Sequence, residues 1–204
     1  MLPVIKQLGL TDYVPVWESM KQFTHQRDKN ITDEFWVTEH NAVYTQGLNG
    51  RKEHLLSTSG IPVVQVDRGG QVTYHGPGQL VIYCLLDLNR LGIGIRQLVT
   101  DIESAIINLL KSYDIDAFAR RDAPGVYIGQ AKIAALGLRI RKGYCYHGLS
   151  LNLDMDLAPF SGINPCGFKG LPVTQLSDFD NNFSTEQVSS QLCSELIRSI
   201  GYEQ

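Results

Sequence analysis

Apolar residues recur at helical spacing in three stretches of this chain, with strand-like runs between them. The first helix is predicted over Asp12–His25, where Tyr13, Val16, Trp17, Met20 and Phe23 share a stripe. Asp12 suits the N-cap, and Pro15 is tolerated there because it falls within the first turn. A second helix over Arg96–Tyr113 aligns Leu98, Ile102, Ala105, Ile106, Leu109 and Leu110. A third follows Ser184, which makes a capping box with Gln187, and repeats Val188, Leu192, Leu196 and Ile200 every fourth residue. Strands are predicted at Glu34–Glu39 and at the β-branched Ile61–Val66, with a loop over His40–Gly50 after the first. Leu80–Leu86 is continuously apolar, as a strand covered on both faces would be. Gly125–Ile128, Lys132–Arg141 and Tyr144–Leu153 read as a meander, separated by Gly-Gln and Lys-Gly turns. The sum is an α/β (α+β) fold in which a mixed or antiparallel sheet carries flanking helices. No linker or repeat interrupts residues 1–204, so one domain is expected.

Composition narrows the classes. Hydrophobic content of 43%, charged content of 19% and a net charge of −3 suit a soluble globular protein and disfavour a nucleic-acid binder. No leader-like or membrane-spanning run is visible, so the chain reads as cytoplasmic. In that reducing setting, the four cysteines are expected as thiols. Cys84 and Cys193 sit in apolar patterns and read as core residues, as does Cys145 within its strand. Cys166 differs. Pro165 and Gly167 flank it and place it on a loop, where a nucleophile is plausible. A thiol of ordinary pKa is only ~3% thiolate at pH 7, so it needs a basic or cationic neighbour.

Two residues compete for that role. Strict alternation puts Lys132 beside Ala134, Leu136, Leu138 and Ile140, an apolar side where an ammonium is costly. Lys132 either starts the strand and reaches water, or pairs with a thiolate or acts as a base. His147 alternates with Cys145, Leu149 and Leu151 and is expected on the core side. His75 stands at a strand end before Gly76-Pro77-Gly78, and His25, His40 and His54 have no metal-ligand spacing. Gly69-Gly70 allows close backbone approach to a ligand or makes an ordinary turn. These residues alone define a cysteine-dependent enzyme of open substrate.

The stretch Arg68–Gly78, RGGQVTYHGPG, makes the chain resemble the lipoyl(octanoyl) transferases of lipoate biosynthesis, a family similar in fold to biotin/lipoate protein ligases. Ala123–Tyr127, the KIAALGLRIR strand, His147–Asn152 and Ile163–Gly167 extend the resemblance in order. It implies transfer of an octanoyl group from octanoyl-acyl carrier protein to a lysine of a lipoyl domain, through a thioester on Cys166 with Lys132 as its partner. The acceptors implied are the lipoyl domains of 2-oxoacid dehydrogenase complexes and the glycine cleavage H protein. A monomer without cofactor or metal is implied too. The substrate site would comprise Arg68, Gly69, Gly70, Gln71, Val72, Thr73, Tyr74 and His75, with Ala135, Leu136 and Gly137 and with Gly148, Leu149 and Ser150. The loop after Glu39 departs from the family pattern, with Asn41-Ala42 where prolines are expected. An ATP-dependent ligase and a non-catalytic binding module would not need Cys166 and Lys132. A thioesterase with the same pair is set aside by the resemblance alone. Arg139, Arg141 and Lys142 form a basic group that could receive the acidic donor protein.

Overall fold

The computed structural model describes residues 2–202, except for the side chain of Cys166. In chain order the elements are β1 (Val4–Thr11), α1 (Tyr13–Gln26), β2 (Glu34–His40), β3 (Val43–Gln46), β4 (Val63–Gln65), β5 (Val72–His75) and β6 (Gln79–Asp87). They continue as α2 (Leu88–Leu91), α3 (Ile95–Lys111), β7 (Phe118–Ala119), β8 (Gly125–Ile128), β9 (Ala131–Arg141), β10 (Tyr144–Asn152) and α4 (Thr185–Ile200). A seven-stranded sheet in the order β1-β2-β6-β10-β9-β8-β7 is antiparallel except where β1 runs parallel to β2. A second sheet, β4-β3-β5, has three strands.

Central β6 is buried along its whole length because both of its faces are covered. On one face Phe35, Val37, Leu80, Ile82, Cys84 and Leu86 meet the stripes of α3 and α4. On the other, Trp36, Val81, Tyr83 and Leu85 meet Tyr13, Val16 and Met20 of α1. The stripe predicted for each helix is the face it buries. Asp12 occupies the N-cap of α1 without a side-chain bond, whereas the Ser184 side chain accepts from the Gln187 backbone N–H. Cys84, Cys145 and Cys193 are buried free thiols.

Two strands depart from the sequence reading. β1 lacks clean alternation: it is an edge strand, largely exposed, with its register broken at Gly9. The predicted loop after His40 contains β3, whose pairing with β4 and β5 builds the second sheet. Both strands depend on distant partners, which local periodicity does not report.

A buried carboxylate ties α1, β2 and β6 together. Asp33 lies 2.6 Å from both Arg27 Nη2 and Arg90 Nη2, and it accepts bonds from the Asp87 backbone N–H and the Tyr202 hydroxyl. Arg27 in turn donates to the Leu85 carbonyl at 2.9 Å. Asp33→Ala strands that guanidinium in the core, so urea denaturation should show a loss of about 3–5 kcal/mol. A loss below 1 kcal/mol would mean that the junction is held by packing alone.

Candidate active site

The Asp67–Gly70 segment lies across the large sheet where β9 and β10 present facing glycines, Gly137 and Gly148. A Cβ on Gly137 would stand 2.9 Å from Arg68 Cδ, so a side chain there would push the segment off the strand. Gly69 N–H donates to the Leu138 carbonyl at 2.9 Å and fixes the contact. Arg68 itself is buried. Nε and Nη2 donate to Thr45 Oγ1, Nη2 to the Thr45 carbonyl at 2.6 Å, and Nη1 to the Gly69 carbonyl. Its forked donors thus join β3 of the small sheet to the segment over β9.

Between these layers lies a cleft. Arg68, Gly70, Gln71, Val72, Thr73, His75, Ala135, Leu136, Gly137, Gly148, Leu149 and Ser150 line it. Gly69 and Tyr74 lie beside the lining instead. Gly69 is spent on the backbone bond to Leu138, and Tyr74 packs among Tyr44 and Phe160. Tyr13, Val81, Tyr83 and His147 complete the wall. Sequence reasoning gave them no binding role, because α1 and β6 show only a core pattern.

A second, smaller cavity shares Thr73, Ala135 and Ser150 with the cleft. Lys132, Asn152, Phe160, Pro165 and Val173 also line it. Here the alternation argument breaks down. Between β8 and β9 the register shifts at Val126/Tyr127, so Ile133 and Ala134 both pack into the main core. Lys132 instead borders the cavity with Ser150 and Asn152, on the face opposite Leu149 and Leu151. It is 4% exposed, donates to the Pro124 carbonyl at 3.0 Å, and stands 5.1 Å from the Tyr127 ring centre. Glu103 accepts from Gly125 N–H. Burial raises the Glu103 carboxyl, while that bond and the Lys132 charge pull it back down. Pro165 opens the short 3-10 turn Pro165–Gly167, which puts Cys166 next to a cavity-lining residue, although its side chain is outside the described set. His54 adjoins the same turn: its carbonyl accepts from Asn164 N–H, a proximity with no local signal in the sequence.

His147 also leaves its expected side. Its φ of 60° is left-handed, a conformation that a non-glycine residue rarely adopts within a strand. The kink turns the ring away from Cys145 and Leu149 and toward Asp67, with Nε2 3.0 Å from Oδ1. Trp17 Nε1 and the Tyr146 hydroxyl donate to the same carboxylate. Burial pushes Asp67 up, but those three bonds outweigh it and hold the carboxyl well below the usual range. Burial lowers His147 despite Asp67, so the imidazole is a neutral Nε2–H donor. Arg141 ends β9 nine residues from Lys132, about 30 Å away at strand rise, and Lys142 opens the turn that follows.

Residues 12–197 match the family model described as the lipoyl protein ligase A/B catalytic domain. An octanoyltransferase of Vibrio cholerae serotype O1 is 58% identical over 201 residues, covering 98% of this chain and 93% of its own. Among solved structures, a lipoate-protein ligase A bound with ATP superposes with a TM-score of 0.80 at 16% identity, over 98% of this chain and 86% of that one. The biotin protein ligase of Aquifex aeolicus follows at a TM-score of 0.63 and 12% identity, over 97% and 70%. The fold is that of a ligase-type catalytic domain. Within that class the chain belongs to the lipoyl protein ligase A/B family, beside its octanoyltransferases.

Two histidines, His75 in the lining of the cleft and His40 behind it, titrate in a testable range. Burial lowers His40 to about 4, against small opposing contributions from Thr11 and Asp12, and lowers His75 to about 3. A depressed folded value means that the unfolded chain binds protons more readily. The stabilisation is therefore complete above about pH 6.5 and lost as pH falls toward 4. Urea unfolding should weaken by on the order of 2 kcal/mol per such histidine between pH 6.5 and 4.5. His40→Gln should reduce that slope, and an unchanged slope would remove His40 from the account.

Proposed function

We propose that the cleft holds an octanoyl chain and that Cys166 carries it as a thioester between donor and acceptor. The protein is an octanoyl-transferring enzyme of lipoate biosynthesis. It takes its acyl group from a thioester donor and delivers it to lipoyl-domain acceptors. The reading names octanoyl-acyl carrier protein as donor and the lipoyl domains of 2-oxoacid dehydrogenases and of the glycine cleavage H protein as acceptors. It treats the chain as one catalytic domain acting as a monomer in the cytoplasm. Among the described residues, no helix is long and apolar enough to cross a membrane.

One observation carries the mechanism: a buried lysine, Lys132, borders the same small cavity as Pro165, the residue before Cys166. That cavity shares Thr73, Ala135 and Ser150 with a cleft walled by Val72, Val81, Leu136 and Leu149. In the first half-reaction the Cys166 thiol proton passes to Lys132, and the thiolate attacks the donor carbonyl carbon. Collapse of the tetrahedral adduct breaks the old C–S bond, and the departing thiolate recovers the proton. In the second half, the neutral amine of the acceptor lysine attacks the acyl-enzyme. The C–S bond to Cys166 breaks, an amide forms, and the amine proton returns by way of Lys132 to the sulfur. The amide is the more stable product, so the second step sets the direction. Burial around Lys132 keeps bulk water from the intermediate, which would otherwise be hydrolysed.

Intact-mass analysis with octanoyl-acyl carrier protein tests this directly. Without a lipoyl domain the enzyme should gain one octanoyl group, and the adduct should vanish on adding the domain. Cys166→Ala should gain none. Lys132→Ala should slow both half-reactions by about 10²–10⁴-fold, the usual worth of a positioned base. Lys132→Arg should not restore them, since arginine cannot release its proton near neutral pH. Rescue by arginine would reduce Lys132 to a counter-charge for the thiolate. A larger loss in His54→Ala or His147→Ala would move the base there.

A further inference from the structure

Exposure along the main cleft is graded. Gly70 is exposed, and Gln71, Thr73, Ala135 and Leu136 are half-buried. At the opposite end Tyr13, Tyr83 and His147 are 4%, 3% and 1% exposed. The cleft therefore has a mouth at Gly70 and Gln71 and a buried end of aromatic rings. The rings are pinned from behind. The Tyr83 hydroxyl is 2.6 Å from His40 Nε2, and His40 Nδ1 faces Thr11. Tyr13 stacks on His75 with the ring planes 13° apart, and His75 Nδ1 is held 2.7 Å from Gln79 Oε1. His147 is clamped by Asp67 and stacked on Tyr146 at 22°. An end wall built of bonded rings has little freedom to retreat when a ligand presses on it.

Its depth matches one chain length. β10 lines the cleft from Ser150, shared with the Lys132 cavity, to His147 at the wall. Those three strand steps span about 10 Å. Seven C–C bonds of about 1.5 Å in an extended zigzag reach about 9 Å. We propose that Tyr13, Tyr83 and His147 form a fixed end wall that selects an eight-carbon acyl group by length, an inference that rests on the cleft being the acyl site. A shorter chain leaves apolar wall uncovered and loses about fourfold in affinity per methylene. A longer one must break a pinned ring contact or hold its carbonyl carbon away from the Lys132 cavity.

The test measures self-acylation from hexanoyl, octanoyl, decanoyl and dodecanoyl pantetheine thioesters in wild type, Tyr13→Leu and Tyr83→Leu. Wild type should prefer octanoyl. In either variant the decanoyl-to-octanoyl ratio of kcat/KM should rise at least tenfold, as the longer chain enters the space the ring vacated. An unchanged ratio in variants that unfold cooperatively would overturn the wall while leaving the acyl-enzyme reading intact. Absence of any wild-type adduct would overturn that underlying reading instead. Because both tyrosines are core residues, a second measurement uses unaltered enzyme, acylated with an octanoyl analogue that carries a diazirine at C7. Photolysis should label peptides containing Tyr13, Tyr83 or His147. Labelling confined to Gln71 and Leu136 would place the chain end at the mouth and refute the proposal.

Discussion

The burial of the Arg68 guanidinium is the constraint on which the cleft depends. A cation withdrawn from water needs its donors satisfied, and Arg68 finds acceptors on Thr45 in the small sheet and on its own loop at Gly69. Satisfying them holds two sheets at a fixed separation, and Gly137 supplies the room for the loop between them. The same charge acts on its neighbours. It adds to burial in keeping His75 and His147 neutral, so the two imidazoles that line the cleft are uncharged, with His40 packed behind them. An apolar chain can lie against such a wall, whereas imidazolium groups there would draw in water. A residue expected to touch substrate thus also builds the space that substrate would occupy.

Much of this was legible in the pattern of apolar positions. The continuous run around Ile82 appears as a strand covered twice over, and the stripes at Leu98–Leu109 and Val188–Ile200 are the faces that α3 and α4 bury. Periodicity failed where the backbone departs from regular strand geometry. The register shift beside Ile133 carries Lys132 off the side that strict counting assigns, and the left-handed φ at His147 turns its ring toward Asp67. Both departures fall at the cleft. A two-residue period cannot announce its own interruption, so the residues with the most chemistry were the hardest to orient. Asp67 went unnoticed for another reason: its partners Trp17, Tyr146 and His147 come from α1 and β10, which only the tertiary fold brings together. Tyr13 and Tyr83 looked like core residues and are core residues. Their second role follows from which part of the core was left empty.

Similarity to an ATP-bound lipoate-protein ligase at 16% identity shows that this fold does not dictate how an acyl group is activated. A cleft between two sheets can bury an acyl chain whether the carbonyl end meets a nucleotide or a thiol. In the present chain a small cavity lies beside the cleft, where Lys132 emerges at the β8–β9 register shift and Pro165 of the Pro165–Gly167 turn forms part of the lining. The bulge has a chemical consequence. Regular alternation would have sent Lys132 into the core among Ile133, Leu151 and Val126, where an amine has no acceptor. The extra residue aims it past the Pro124 carbonyl and the Tyr127 ring. Those neighbours hold the amine in place and keep it out of bulk water. The long cleft and the small cavity therefore separate two tasks. In the proposed mechanism the first measures the chain, and the second holds Lys132 beside the turn that carries Cys166. Because the two share Thr73, Ala135 and Ser150, a chain seated in the first would fix the position of its carbonyl in the second. On that reading, binding energy gathered along eight carbons serves to place one atom.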